Sequence, residues 1–248
     1  MEALLNNPAD AGGAQNLAEL ALARRDLYRF LSAVFLESPG PELLAHLRED
    51  GFQTALAEWF SPAVVENFQR VAEAMDAEEF SNSARLEFTN LFLVPGGQHI
   101  APYESVFRDR REIDGREVSG LLMGQSAVDV QQWYRLAALE ISGDFKELPD
   151  HIGLEFHYLA YLCDREQAFG DAGDSAKQTR AREMQRDFLK AHVLSWLGGL
   201  AEKIRAKAAL PLYPAIASLA VEFCQSELRT LESVLGTSCG KPIPAYAN

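Results

Sequence analysis

The sequence predicts an all-α protein, an irregular single-domain bundle of roughly eight to ten helices. Three observations carry that reading. Apolar residues recur at i, i+3, i+4 and i+7 through most of the chain, no segment sustains the alternation of a half-buried strand, and the striped segments are separated by Pro, Gly and Ser clusters. A hydrophobic fraction of 48% supplies a core of ordinary size, and no internal repeat is visible.

Residues 1–14 read as a lead-in, 15–236 as the helical domain and 237–248, "TSCGKPIPAYAN", as a loose tail. From Gln15 a first helix places Leu17, Leu20, Ala21, Leu27, Tyr28, Leu31, Val34 and Phe35 on one stripe. "SPGPE" breaks it, and Pro41 suits the first position of a short second helix. Ser61-Pro62 is a further start signal, with Val64, Phe68, Val71, Ala72 and Met75 sharing the face that follows. A helix from about Ser81 to Leu93 ends at Pro95 and its glycines. The polar segment 108–120 carries one turn signal, Asp114-Gly115, and is either a small hairpin or a loop.

Ser126, with Asp129 three residues on, is expected to open a helix bearing Val130, Trp133, Tyr134, Ala137 and Ile141. After the connector 142–149, Asp150 is expected to cap the helix of Ile152, Phe156, Leu159 and Cys163. "GDAGDS" reads as a surface loop; helical segments follow from Phe188 to Trp196 and on to about Lys207. Pro211 and Pro214 precede a last helix carrying Ile216, Leu219, Ala220, Phe223, Leu231 and Leu235.

The formal net charge of -13 repels phosphate backbones and argues against a general nucleic-acid binder. It would steer a basic peptide, less so as salt rises. No apolar run approaches the roughly 18 residues of a membrane span, and the N-terminus lacks the pattern of an export signal. Cys163, Cys224 and Cys239 are odd in number and far apart, which suits reduced thiols in a cytoplasm.

Signatures of catalysis are missing: no phosphate loop, HExxH, GxSxG or cysteine pair at metal spacing. Two stretches stand out instead. "LFLVPGGQHIAPYESVF", Leu91 to Phe107, is too apolar for a solvent loop and too rich in Pro and Gly for a helix. It is either a rigid helix-to-helix crossing that completes the core, or a peptide-receiving wall of Phe88, Leu91, Phe92 and Tyr103 held by turns that cannot collapse. In "ELPDHIGLEFHYLAYL" the residues Asp150, His151 and Glu155 lie within about one helical turn. They form either a helix cap with a Glu155–His151 pair, or a polar cluster receiving a charged ligand. A metal site of His151, Glu155 and His157 is disfavoured because His157 leaves the shared face, and His192 reads as a satisfied core histidine.

The ordered set "LF", "PG", "APYESVF", "GLLMGQSAVDVQQWYRLAALEI" and "ELPDHIGLEFHYLAYL" resembles the TorD/DmsD/NarJ family of cytoplasmic chaperones for molybdenum-containing oxidoreductases. "FLKAHVLSWL" and "LYPAIASLAVEFCQSEL" are similar to its C-terminal half, so the likeness spans roughly residues 17–236. The resemblance implies a TorD-like all-helical chaperone domain, not an enzyme, with no cofactor or metal of its own. Its partner would be an apo-molybdoenzyme catalytic subunit, bound through a twin-arginine signal peptide until cofactor insertion is complete. The family's client-binding pairs fall on Leu91-Phe92, Pro102-Tyr103 and Asp150-His151, with Phe88, Glu104 and Glu155 beside them. Two alternatives stand: a chaperone for a non-exported enzyme, and a helical enzyme using Asp150, His151 and Glu155. Monomer and homodimer are both left open.

Overall fold

The computed structural model describes residues 13–74, 76–113, 116–142 and 146–236. The lead-in before Gly13, Met75, the Asp114-Gly115 turn and the tail from residue 237 lie outside them, as do the side chains of Leu17 and Leu20. The chain is all-α: eleven α-helical segments and two π-turns, with one two-stranded hairpin among the described residues.

Helix α1 (Gly13–Leu36) runs along α8 (Ile152–Asp171), and this pair forms the spine. Its stripe is buried as expected: Ala21, Tyr28, Leu31 and Phe35 are almost wholly shielded. α2 (Pro41–Leu47) starts on Pro41, as expected, and Gly40 is its cap. α3 (Asp50–Trp59) was not foreseen; it packs on α4 (Pro62–Ala74). Ser61 precedes α4 as predicted, but its hydroxyl and amide both donate to the Glu222 carboxylate, at 2.7 and 2.6 Å.

α5 (Ala77–Phe88) begins earlier than Ser81 because Asp76 caps it, accepting from the Glu79 amide at 2.9 Å. It passes into a first π-turn, Thr89–Leu93. The short α6 (Glu104–Arg108) follows, then β1 (Arg110–Ile113) and β2 (Arg116–Ser119), paired antiparallel from Arg110↔Ser119 to Ile113↔Arg116. The hairpin reading therefore holds for that segment.

α7 (Gln125–Leu136) is capped at Gly124 rather than at Ser126. The capping carboxylate is Asp109, which accepts from the Ser126 amide at 2.9 Å and hydroxyl at 2.6 Å. A Cβ on Gly124 would lie 1.9 Å from Asp109 Oδ2, so only glycine lets this cap approach. The helix ends before Ile141, where Ala138 adopts a left-handed φ of 56°.

α8 ends at a loop containing Gly173, whose φ of 70° is left-handed, and Asp174 then caps α9 (Ser175–Phe188). α9, a second π-turn (Leu189–Val193) and α10 (Leu194–Lys207) run on without a break. α11 (Leu212–Gly236) closes the bundle against α10, α9 and α4. No described helix is long and apolar enough to cross a membrane.

The helix α9 was hidden in the sequence because its buried face is polar: Arg182 and Gln185 accompany Ala181 and Phe188 inward. They join a network that crosses the spine. The Arg24 guanidinium donates to Glu227, to Glu166 at 3.0 Å and to Gln185. Arg182 Nε donates to Glu166 at 2.7 Å, and Gln185 Nε2 to the same carboxylate at 2.9 Å. Two arginines beside two glutamates balance the buried charge, and Arg24 and Arg182 hold Glu166 below its usual range against the opposing effect of burial.

Candidate functional site

The connector that begins at Leu91 is fastened at two places. Its first half docks on the corner between α10 and α11. The Ile100 amide donates to the Leu91 carbonyl at 2.7 Å, closing the turn around Pro95 and the glycines. Gln98 Nε2 donates to the Lys207 carbonyl at 2.9 Å, while Lys207 Nζ donates to the His99 carbonyl at 2.8 Å. Glu87 Oε1 accepts from the Ala209 and Leu210 amides at 2.7 and 2.6 Å.

Beneath this corner Phe88, Leu91 and Phe92 are buried. Phe92 packs edge-on against Tyr213 (5.1 Å), Phe35 (5.7 Å) and Phe88 (5.6 Å). In this conformation the three residues are core. The apolar surface beside them belongs to Leu86, Leu93 and Val94, each more than half exposed.

The second half docks on the start of α8. Tyr103 and His151 form an antiparallel bridge. The Ile152 amide donates to the Pro102 carbonyl at 3.0 Å, and the Glu104 amide to the Asp150 carbonyl at 2.9 Å. The two motifs singled out in the sequence are therefore joined through their backbones. Pro102 suits this seam: it is buried and supplies an acceptor where no amide donor is needed.

Side chains complete the splice, and two of them differ from expectation. Asp150 does not cap its own helix. Its Oδ2 accepts from the Ser105 amide at 2.8 Å, in the first turn of α6. His151 is the cap of α8, its Nδ1 accepting from the Gly153 amide at 3.0 Å. Gly153 is required there, since a Cβ would lie 2.6 Å from Leu36 Cγ. A cap that accepts through Nδ1 cannot carry a proton on that nitrogen. Burial lowers the His151 pKa to about 4, with Glu147 opposing weakly. The ring meets Tyr103 edge-on at 5.1 Å.

Glu155 does not pair with His151 either. Its Oε2 accepts from the Trp196 indole at 3.2 Å, and its Oε1 meets no hydrogen-bond donor among the described residues. Glu104 accepts from Arg108 on one oxygen and meets His192 Nδ1 at 2.9 Å on the other, so His192 is a core histidine with a partner. Glu104, Asp150 and Glu155 have no exposed surface. Burial pushes the Asp150 and Glu155 carboxyls up, against the Ser105 hydrogen bonds at Asp150 and with Glu104 adding to the effect at Glu155.

The acid–base reading therefore loses its footing: Asp150, His151 and Glu155 are buried and turned toward protein partners. Among the described residues no group of three or more His, Cys, Asp or Glu is disposed to hold a metal ion. What the seam offers outward is half-buried Tyr103, whose hydroxyl donates to Glu147 Oε2 at 2.5 Å. Close by, between α1, α7 and α8, lies an apolar cavity of about 310 Å³ walled by Leu36, Tyr134, Ile141, Leu154 and Tyr158. Glu140 and His157 also line it.

Sequence reasoning missed Glu147, Arg108 and Trp196. The i, i+4 spacing of Glu104 and Arg108 was the one available signal. Trp196 reaches the seam only through the tertiary fold, and Glu147, three residues before Asp150, meets Tyr103 only through it.

Residues 42–202 match the family model described as nitrate reductase delta subunit. The chain is 26% identical over 226 residues to the chaperone protein TorD of Vibrio cholerae, covering 89% of this chain and 97% of the relative. It is 26% identical to the TorD chaperone of Shewanella pealeana (86% and 91% covered) and 23% identical to that of Colwellia psychrerythraea (89% and 96%). These relatives are named as chaperones, not enzymes, over almost their whole length. With the family model matched over most of the chain and the ordered motifs of the connector and α8 in place, this protein belongs to the nitrate reductase delta subunit family.

Proposed function

We propose that this protein is a cytoplasmic maturation chaperone for a molybdenum-containing oxidoreductase. It binds the apo-form of the catalytic subunit through a basic, apolar N-terminal signal peptide and holds back export until the cofactor is in place. The observation that carries this reading is the splice of Pro102-Tyr103 onto Asp150-His151, which presents Tyr103 and Glu147 beside an apolar cavity. A twin-arginine signal offers guanidinium groups followed by an apolar stretch. Glu147 supplies a carboxylate for a guanidinium, the Tyr103 ring a face for it, and the cavity an apolar seat. The net charge of -13 adds long-range attraction for the basic end. Asp150 and Glu155 act from behind, positioning the seam, because neither reaches solvent.

Calorimetry with a synthetic twin-arginine leader peptide tests the reading. Glu147→Gln and Tyr103→Ala are each expected to weaken binding about tenfold, roughly 1.4 kcal/mol, and added salt to weaken it further. Wild-type affinity in both variants, with helicity intact, overturns this assignment of the contact surface. Equal binding of a leader with both arginines replaced would instead favour a client without a twin-arginine signal.

A further inference from the structure

Eight large apolar side chains are exposed among the described residues, and four of them belong to α7 or to the loop that leads into it. Leu122, Met123, Val128 and Leu136 are each between 45 and 52% exposed. The opposite face of α7 is buried through Ala127, Val130 and Tyr134, so the helix is apolar on both sides. A second apolar stripe on a surface helix marks a face that something covers. Val128 and Leu136 are eight residues apart, with exposed Gln132 midway, and so run along one side of the helix. The loop before them holds its side chains outward. Met123 takes a left-handed φ of 57°, a costly conformation for a side chain of its size. Asp109, directly after α6, fixes the turn by accepting from the Ser126 amide and hydroxyl. Met123 and Val128 fall on the two positions that flank a helix start as a hydrophobic staple, yet both stay about half exposed.

This face continues into the surface beside the seam. Past Leu136 the chain supplies Leu139 and Ile141 to the wall of the apolar cavity, and Tyr134 ties the helix to the seam through the Pro149 carbonyl at 2.8 Å. At about 310 Å³ the cavity is at the lower end of the roughly 300–1,000 Å³ of ligand pockets, room for a few side chains only. α7, 12 residues and about 18 Å long, adds the length that a longer apolar segment needs. Leu86, Leu93 and Val94, by contrast, contribute nothing to the cavity. Charge sets a direction along the face. Near the N-terminal end, Asp109 is engaged by Ser126, and Asp129 by Gln125 at 2.7 Å. Beyond the C-terminal end, Glu140 at the cavity and Glu147 at the seam outnumber Arg135, the exposed cation of the last turn.

We propose that the outward face of α7, from Leu122 and Met123 through Val128 to Leu136, takes the apolar stretch of the client's N-terminal peptide, an assignment that rests on the function proposed above. The guanidinium groups lie at Glu147, the first apolar side chains fill the cavity, and the rest of the stretch runs antiparallel to α7 as far as Met123. An apolar segment of about a dozen residues in helical form matches the length of α7. The flexible thioether of Met123 suits a surface that accepts apolar side chains of varied shape.

Calorimetry on the full chain with two synthetic leader peptides tests this. One leader carries its whole apolar stretch, and in the other the stretch is cut to about three residues, enough for the cavity alone. The wild type is expected to bind the long leader about tenfold more tightly than the short one. The double variant Val128→Gln, Leu136→Gln is expected to lose that advantage while its affinity for the short leader stays unchanged. An advantage that survives in the double variant, with Glu147→Gln still weakening both leaders, overturns the α7 assignment alone. Binding of neither leader by the wild type overturns the proposed function, and this assignment with it. A wild-type dimer that the double variant dissolves in sedimentation, with leader affinity unchanged, gives the face to a second copy of the chain and also overturns it. Should the double variant lose helicity, Met123→Asn keeps a residue that tolerates the left-handed turn and is expected to weaken the long leader alone, by about threefold; an unchanged ratio of the two affinities refutes the proposal. A benzophenone on the last apolar residue of the long leader is expected to attach between Leu122 and Val128, and attachment at Leu86 or Leu93 instead refutes the path.

Discussion

His151 gives a quantitative forecast for acid solution. The perturbation is a proton on an imidazole whose Nδ1 is committed to the Gly153 amide. In the folded protein the ring resists protonation down to about pH 4, whereas the unfolded chain takes the proton near 6.5. Between these values unfolding binds a proton, so stability declines as pH falls, and above 6.5 the contribution is complete. The window covers about two and a half pH units at roughly 1.4 kcal/mol each, so His151 should cost the fold about 3 kcal/mol on acidification. A charged imidazolium at a helix N-terminus also opposes the macrodipole. The assay is urea unfolding followed by circular dichroism, from about pH 7.5 to about pH 4.5, on the wild type and His151→Asn. Asparagine is a good N-cap without a titrating group, and the difference between the two proteins cancels every other carboxyl that titrates in this range. Wild-type stability should fall toward or below that of the variant as pH drops. Parallel curves would refute the argument, because they would mean that the ring accepts its proton in the folded state as readily as in the unfolded one.

Two further changes have defined outcomes. Ala138 closes α7 in the left-handed region that suits glycine, so Ala138→Gly should raise stability by about 1 kcal/mol, read as a melting temperature roughly 2–4 °C higher. Arg24→Met leaves Glu166 and Glu227 buried with less compensation and should destabilise by about 3–5 kcal/mol in denaturant titration.

Periodicity located α1, α4, α8 and α11 because each buries an apolar stripe against the rest of the core. It failed at α9, where the buried positions include Arg182 and Gln185, since a pattern that scores apolarity does not register a satisfied polar face. Capping was misread for one recurring reason. Ser61, Ser126 and Asp150 all sit beside helix starts, but Ser61 is turned to Glu222, Ser126 to Asp109 and Asp150 to Ser105. Each partner lies beyond the reach of local sequence reasoning. The candidate site divides in the same way. Resemblance picked out Pro102-Tyr103 and Asp150-His151, and the fold brings them together. That Phe88 and Phe92 face Tyr213 rather than a surface depends on α11, more than a hundred residues later.

The buried network on Arg24 has a consequence for alignment. Its guanidinium meets acceptors from three helices, Glu166 of α8, Gln185 of α9 and Glu227 of α11. Sliding α1 along α8 by one residue would rotate Arg24 by roughly 100° away from all of them. Apolar stripes tolerate such a slip, because one Leu substitutes for another at small cost. An arginine with its counter-ions does not, since the slipped arrangement buries separated charges. Arg24 thus works as an index mark: of the near-equivalent ways to lay α1 on α8, it admits one.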